Sequence, residues 1–199
     1  MDAAHIVELQ AEATRRWHEP AEMPPLESEL DELVVDQHRA NFDLWHEEDQ
    51  ARDLKATPER IVAIKRAIDR LNQRRNDLME QIDRRLLQAA GKQREEAPLH
   101  SETPGMMIDR LSILDLKRFH TDEEIARAGG DEQHARRNRE RLAVIEEQRD
   151  DLRDALAALW DDVSSGRRRF KLYRQMKMYN DPALNPVLYR AKDDTGGGT

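Results

Sequence analysis

Long stretches in which apolar residues recur every three or four positions constrain this chain more than any other feature of its sequence. Between residues 132 and 164 most other positions are charged, and the apolar stripe consists of Leu142, Ile145, Leu152, Leu156, Leu159 and Val163. A stripe of this kind runs along one side of an α-helix and has to pack against another element. No stretch alternates apolar and polar residues as a half-buried strand does. The sequence therefore predicts an all-α protein.

Cap and turn residues divide the chain into separate helices. Residues typical of N-caps precede each long periodic stretch, and they are Ser28, Thr57, Thr103 and Asp131. A proline follows both threonines, at the first helical position where proline is favoured. We predict long helices at about 28–55, 57–91, 103–129 and 132–164. A short helix at 3–18 precedes them, and a basic helix at about 167–179 follows them.

These helices predict an antiparallel bundle of four long helices, with a short N-terminal helix and a basic C-terminal helix. The third long helix is apolar around most of its circumference, so we expect it at the centre of the bundle. We assign residues 1–27 to an N-terminal arm or short helix, residues 28–192 to the bundle domain, and residues 193–199 to a disordered tail.

The composition excludes several classes of function. The 199 residues include no cysteine, so the chain has no disulfide, thiolate nucleophile or thiolate metal ligand. The first residues lack the apolar core of a signal peptide, and no window has the roughly 18 apolar residues that a membrane span needs. A net charge of −8 argues against nucleic-acid binding by the surface as a whole. We expect a cytoplasmic protein.

Polar residues break the apolar stripes of the first two long helices. In the helix at 57–91, three isoleucines begin a stripe that Asn72 and Arg75 continue, with Asn76 beside them. In the helix at 28–55 the stripe includes Gln37, Asn41, Trp45, Glu48 and Arg52, flanked by His38, His46 and Asp49. The third long helix carries Asp109. Buried amides and charges cost several kcal/mol unless they find partners.

Two interpretations account for these interruptions. One is a structural network that fixes which helices pair, and the other is a ligand site, which we favour because the polar groups lie on three helices. The predicted catalytic residues, as base or metal ligand, are Glu48, Asp49 and Asp109. The predicted ligand-binding residues are His38, Asn41, Trp45, Arg52, Asn72, Arg75, Asn76, Lys117, Tyr173 and Lys177. Six residues are expected to converge on one pocket near Asp109, and they are Asn41, Glu48, Arg52, Asn72, Arg75 and Asn76.

The segment at 167–179 interleaves basic and aromatic residues, including Tyr173 and Lys177. Such a helix can act as a lid that brings cations to a phosphorylated ligand. It can equally be an amphipathic helix docked on the acidic N-terminal half of the chain. The sequence leaves both interpretations open.

One further motif indicates a different enzyme class. Glu80 and Asp83 lie one helical turn apart and can hold Mg²⁺. This pair resembles one half of the metal site in all-α nucleoside triphosphate pyrophosphatases. The second pair with the required letters, Glu29 and Glu32, lies too far away along the chain. Mg²⁺ is the cofactor that this alternative would need.

Four blocks of the sequence resemble a bacterial family of helical proteins of unknown function. In chain order they are HRANFDLWHEEDQAR, IVAIKRAIDRLNQRRNDLMEQID, TPGMMIDRLSILDLKRFH and FKLYRQMKMYNDPALNP. The resemblance implies genes that often lie beside glycosyltransferase and surface-polysaccharide genes, and it implies no activity or catalytic residue. We therefore expect a protein that binds or acts on a phosphorylated or nucleotide-linked sugar. The alternative is a non-catalytic helical adaptor for glycan-assembly enzymes, with a glycosyltransferase as partner.

Overall fold

The helices begin at the cap residues that the sequence predicts. The structure, a computed structural model, describes residues 1–19 and 21–173. Its helices are α1 (Ala3–His18), α2 (Glu29–Ala51), α3 (Pro58–Ala90), α4 (Pro104–Ala126) and α5 (Glu132–Ser164). The Ser28 hydroxyl accepts a hydrogen bond from the backbone N–H of Asp31 at 3.1 Å, and the Thr57 hydroxyl accepts one from Arg60 at 3.2 Å. These caps satisfy N–H groups that a helix leaves without partners.

The helices pack as two hairpins with α1 laid against them. α2 pairs with α3, α4 pairs with α5, and α4 also contacts α1, α2 and α3. The predicted all-helical bundle is confirmed, and the third long helix is at its centre. The main apolar core combines residues from all five helices, among them Ile6, Val34, Ile82, Leu111 and Leu156. The α2–α3 hairpin has a second, smaller apolar cluster at its far end, formed by Leu44, Ile64 and Ile68.

α2 ends at Ala51, four residues before the predicted end at 55. The side chain of Asp53 accepts a hydrogen bond from the Lys55 N–H at 2.9 Å, and its backbone carbonyl accepts one from the Ala56 N–H at 3.1 Å. Aspartate competes with helical hydrogen bonding in this way, because its short side chain reaches nearby backbone groups. The connection to α3 is therefore a turn built on Asp53.

The predicted basic helix at 167–179 is wrong for its first seven residues. α5 stops at Ser164, Gly166 adopts a positive φ of 72°, and residues 167–173 contain no helix. Arg169 forms an isolated parallel bridge with Leu99, and the Phe170 N–H donates to the Gln93 side chain at 2.8 Å. Phe170 is 1% exposed. The chain is not helical here because backbone pairing and the burial of Phe170 outweigh helix formation. Residues 174–179 of this prediction, and the tail at 193–199, lie outside the described residues.

None of the five helices in the described ranges combines the length and the apolar character that crossing a membrane requires. Two of them, α3 and α5, have 33 residues each, but both carry many charged residues. Their length therefore reflects packing in the bundle.

Candidate functional site

A cavity of about 250 Å³ lies between α2, α3 and α4, where the polar interruptions of the apolar stripes meet. Its lining residues are Asn41, Leu44, Trp45, Glu48, Arg52, Asn72, Arg75, Ile113 and Leu116. We call this space the seam cavity. Five of the six residues expected to converge line it, because α2 and α3 are antiparallel neighbours. The sixth, Asn76, is 5% exposed and is buried without lining the cavity.

A buried carboxylate, Asp109 of α4, lies behind the wall of the seam cavity. Its Oδ1 accepts hydrogen bonds from the side-chain amides of Gln37 at 2.5 Å and Asn41 at 2.9 Å. The Nε of Arg75 lies 3.7 Å from the same oxygen. Burial raises the pKa of Asp109, and the charge of Arg75 and the hydrogen bond from Asn41 oppose that rise. The carboxylate therefore holds the side chains around it in place and is not open to a ligand.

His38 joins this wall to the opposite side of the core. It is fully buried, with Nδ1 2.7 Å from the Ser112 hydroxyl and Nε2 2.8 Å from the Thr14 hydroxyl. Asn41 donates to Ser112 at 2.9 Å, and Thr14 donates to Asp115 at 2.6 Å. Burial lowers the pKa of His38 to about 4, although the charge of Asp115 opposes this. His38 is therefore neutral at physiological pH and contacts protein groups on both sides.

Three other predicted site residues lie away from the seam cavity. Asp49 is exposed and pairs with Arg52 at 2.9 Å. Lys117 lies in a separate groove between α4 and α5, because its position on α4 faces away from α2 and α3. Tyr173 is 42% exposed on the non-helical segment after α5. Lys177 lies outside the described residues.

Asp83 has a structural partner that bears on the Mg²⁺ alternative. Its Oδ1 accepts a hydrogen bond from the Gly105 N–H at 2.6 Å, at the start of α4. Burial raises its pKa to about 6, opposed by hydrogen bonds from Thr103 and Gly105. A Cβ on Gly105 would lie 2.7 Å from the Met79 carbonyl oxygen, so α3 and α4 approach closely only because residue 105 is glycine. The Asp83 carboxylate therefore links α3 to the start of α4, a structural role that the Mg²⁺ alternative did not include.

Among the described residues that line the seam cavity, Glu48 is the single carboxylate. Mg²⁺ is usually held by one or two carboxylates together with ligand phosphates. The cavity therefore supplies little of a Mg²⁺ site without a ligand. Its other polar groups are the guanidinium groups of Arg52 and Arg75 and the amides of Asn41 and Asn72. This set suits an anionic, hydroxyl-bearing ligand.

Sequence reasoning missed two groups of residues. Thr14 and Asp115 are both 0% exposed, and they lie 101 positions apart in the chain, so no local pattern indicates that they form a polar pair. The second group is His18, His46 and His120, which the fold brings together from three helices. His120 is one turn from Leu116 of the cavity wall, but no local spacing connects it to His18. Only tertiary packing reveals such a cluster.

Comparisons with known proteins give the family and nothing finer. A family described as "Protein of unknown function (DUF4254)" matches residues 31–172. No curated protein and no solved structure matches the chain. The matched range contains every residue that lines the seam cavity, and it begins after α1. Since the match covers well over half of the sequence, this chain belongs to the DUF4254 family.

Proposed function

We propose that the protein binds a phosphorylated sugar in the seam cavity, as an enzyme or as a binding protein. The observation that carries this proposal is the state of Arg75. Its side chain is 26% exposed, and its buried Nε faces Asp109 at 3.7 Å without forming a hydrogen bond to any described residue, which leaves the Nη groups for the cavity. The hydrogen bond that its Nη1 donates to the side-chain Oδ1 of Asn41 is long, at 3.5 Å. A guanidinium has five N–H donors, so Arg75 retains donors for a ligand oxygen.

The other lining residues fit the same class of ligand. Arg52 brings a second cation to the cavity, and Arg–phosphate pairs are among the strongest hydrogen-bonded contacts. Asn72 offers both a donor and an acceptor, and Glu48 offers an acceptor for sugar hydroxyls or a general base. Trp45, Ile113 and Leu116 give the cavity an apolar wall. Cations, one carboxylate and an apolar wall suit a sugar that carries a phosphate.

The size of the cavity favours a simple sugar phosphate over the larger nucleotide-linked sugar. Sites for drug-sized molecules usually enclose about 300–1,000 Å³, whereas the seam cavity has about 250 Å³. A single sugar phosphate is the better match. The base and ribose of a nucleotide-linked sugar would have to extend beyond the cavity, along the surface of α2 and α3.

The test is a binding series measured by calorimetry and thermal shift. Glucose 1-phosphate, UDP-glucose, glucose and inorganic phosphate are titrated separately into the full chain. We expect the phosphorylated sugars to bind and to raise the melting temperature, because a ligand of the folded state stabilises it. Arg75→Met should lower that affinity at least about tenfold. The matched control is Arg110→Met, which removes an arginine on α4 outside the seam cavity. Equal binding by both variants, or no binding by any compound, would reject the proposal.

A second candidate function is the non-catalytic adaptor, and one surface favours it. At the turn between α2 and α3, Leu54 is 102% exposed, and Ile61 and Val62 on the first turns of α3 are 38% and 48% exposed. Exposed apolar side chains grouped in this way are typical of protein-binding surfaces. Co-purification with a glycosyltransferase that is lost in Leu54→Ser, together with no response to any sugar phosphate, would favour this candidate.

We further propose that the protein acts in the cytoplasm and that its ligand belongs to surface-glycan biosynthesis. The absence of cysteine is consistent with a reducing compartment. The link to glycan assembly rests on the gene neighbourhood that the family resemblance implies. Loss of surface polysaccharide on deletion of the gene, restored by wild type but not by Arg75→Met, is the expected result.

A further inference from the structure

Three histidines from separate helices meet beside the seam cavity. His18 is the last residue of α1, His46 lies on α2 and His120 lies on α4. Each offers a ring nitrogen, and these three nitrogen atoms all lie within 4.8 Å of one another. The centroids of the His120 ring and its two partners are 5.2 Å (His18) and 5.9 Å (His46) apart, and the ring planes are steeply inclined. The rings therefore surround a common point and are not stacked side by side.

The outer partners of the three rings determine which nitrogen carries the proton. Nδ1 of His18 lies 2.8 Å from the Thr14 carbonyl oxygen, and Nδ1 of His46 lies 2.8 Å from the Phe42 carbonyl oxygen. A carbonyl oxygen can only accept, so each Nδ1 must donate. In a neutral imidazole the other nitrogen, Nε2, then holds a lone pair. Nε2 of His18 is buried and has no hydrogen-bond partner among residues 1–19 and 21–173.

His120 repeats this arrangement with a carboxylate. Its Nδ1 lies 2.8 Å from Oε2 of Glu123, and its Nε2 is buried without a hydrogen-bond partner in the described part of the chain. Three lone pairs thus face one another in a partly buried space. This arrangement is unfavourable unless something that accepts lone pairs lies between them.

From these observations we infer that His18, His46 and His120 bind one Zn²⁺ ion through their Nε2 atoms. Histidines that bind metals nearly always donate the other ring N–H to a backbone carbonyl or a carboxylate, and all three histidines do so here. Neutral imidazole nitrogen suits Zn²⁺ and similar transition metals, whereas Mg²⁺ and Ca²⁺ prefer oxygen ligands. The chemistry of the donor set therefore selects zinc and not Mg²⁺.

The distances permit this coordination with small movements. Zn–N bonds of about 2.0–2.1 Å in tetrahedral geometry place the ligand nitrogens roughly 3.3 Å apart. From separations of at most 4.8 Å, each ring has to move inward by about 1 Å or less. Aromatic neighbours confine the rings, since His18 stacks on Phe119 at 4.1 Å and His46 packs on Phe42 at 4.3 Å. The site is thus close to its bound geometry.

Three protein ligands leave one position of a tetrahedral ion open, as in catalytic zinc sites. The indole of Trp45 stacks on His120 with centroids 4.6 Å apart and planes inclined by 9°, and Trp45 also lines the seam cavity. The metal therefore lies one aromatic ring away from the proposed ligand. The first metal ligand, His18, comes from α1, which precedes the residues matched to the family.

The experiment uses the full chain without a histidine tag, stripped with a chelator and dialysed. Zn²⁺ alone is titrated by calorimetry, metal content is measured by mass spectrometry, and Co²⁺ is added as a spectroscopic substitute. We expect one Zn²⁺ per chain, a higher melting temperature and visible absorption typical of four-coordinate Co²⁺. Mg²⁺ should produce none of these changes. Less than about half an equivalent of bound Zn²⁺ would overturn the proposal.

The variants test which residues bind. His18→Ala, His46→Ala and His120→Ala should each weaken Zn²⁺ binding by more than about 100-fold, because each removes a ligand. Glu123→Gln should weaken it by roughly 10–100-fold, the usual effect of losing an outer-shell partner. Glu123→Gln also keeps the test valid if an alanine variant fails to fold, since Glu123 is partly exposed.

The matched control is His100→Ala. His100 also has Nδ1 close to a backbone carbonyl oxygen, that of Glu102 at 2.6 Å, but it lies in the groove between α4 and α5. This variant should bind Zn²⁺ as the wild type does. Stoichiometric binding that survives all three alanine variants and Glu123→Gln would place the metal elsewhere and overturn the proposal.

Discussion

The α2–α3 hairpin and the α4–α5 hairpin have the same dimensions but bury different residues. Each pairs a helix of 23 residues with one of 33. α4 and α5 supply most of the main apolar core, including Leu111 and Leu156, both 0% exposed. The apolar cluster confined to α2 and α3 has three members, and polar side chains occupy the positions beside it. The α4–α5 hairpin therefore maintains the fold, and the α2–α3 hairpin carries the candidate site at the expense of its own apolar core.

The largest expected difference in stability comes from truncating one leucine to alanine in each region. Leu156→Ala should lower the free energy of unfolding by about 4 kcal/mol, because a fully buried site in a large core leaves a cavity. Leu44→Ala, in the three-residue cluster, should cost about 2 kcal/mol, since its surroundings can relax or admit water. Urea unfolding measures both changes. Equal losses would mean that the two hairpins are supported equally.

The next prediction concerns pH, to which the two regions respond in opposite directions. His38 in the polar region has a folded pKa of about 4, below its usual 6.5, so the unfolded chain takes up this proton first. Stability from His38 is present above pH 6.5 and is lost as the pH falls toward 4. Asp83, beside the main core, has a folded pKa of about 6, above its usual 3.8, so the folded state takes up this proton first. The contribution of Asp83 to the free energy of unfolding therefore increases as the pH falls from 6 toward 4.

Two neutral substitutions separate these contributions. Relative to wild type, His38→Gln should gain about 3 kcal/mol between pH 7 and pH 4, and Asp83→Asn should lose about 2.5 kcal/mol over the same range. The measurement is urea unfolding of the three proteins at each pH unit. If the free energy of unfolding depends on pH in the same way for all three proteins, neither buried group titrates as described.

A smaller effect distinguishes two carboxylates that the sequence places in the same predicted site. Asp109→Ala should cost about 2 kcal/mol, because the amide groups of Gln37 and Asn41 lose their acceptor inside the core. For a chain of this size that loss corresponds to a melting temperature lower by roughly 4–8 °C. The exposed Asp49→Ala should change stability by no more than about 0.5 kcal/mol. If both variants melt together, the polar region does not depend on Asp109.

The smallest stability effect is expected at the cavity wall. Asn72→Leu extends the isoleucine stripe of α3, so unfolding free energy should stay within about 0.5 kcal/mol of wild type or rise. Binding of glucose 1-phosphate should be lost at the same time. Calorimetry and thermal melting on one preparation test both statements. A strongly destabilised variant would instead identify Asn72 as part of a structural network.

The sequence predicts the helices well because their signals are local. Caps at Thr57 and Thr103 and the stripe of α5 act within one or two turns, and the structure contains them all. Local signals do not predict the conformation of the segment after Gly166, because it depends on the pairing of Arg169 with Leu99, about 70 residues away in the chain. Alternation within a seven-residue basic stretch carries no information about so distant a partner.

The candidate site is predictable only in part, for a related reason. Breaks in the stripes of α2 and α3 identify Asn41, Asn72 and Arg75, because a polar residue on an apolar face is visible within one helix. The rotation of each helix about its axis is not fixed by its own sequence, and Asp49 and Lys117, two other predicted site residues, do not line the cavity. The histidine cluster has no signal within any single helix, and only the packing of α1 creates it.

The hydrogen bonds through His38 also have a direction. The Thr14 hydroxyl donates its hydrogen bond to Asp115, so the Thr14 oxygen must accept a hydrogen bond from Nε2 of His38. Neutral His38 then accepts at Nδ1 from Ser112, whose oxygen accepts from Asn41 at the cavity wall. All the donated protons point away from the cavity. A proton added to His38 has to occupy Nδ1, so the Ser112 hydroxyl can no longer donate to that nitrogen and its oxygen must accept from it. Acidification would thus reverse the direction of one buried hydrogen bond, between Ser112 and His38, behind the proposed sugar-binding wall.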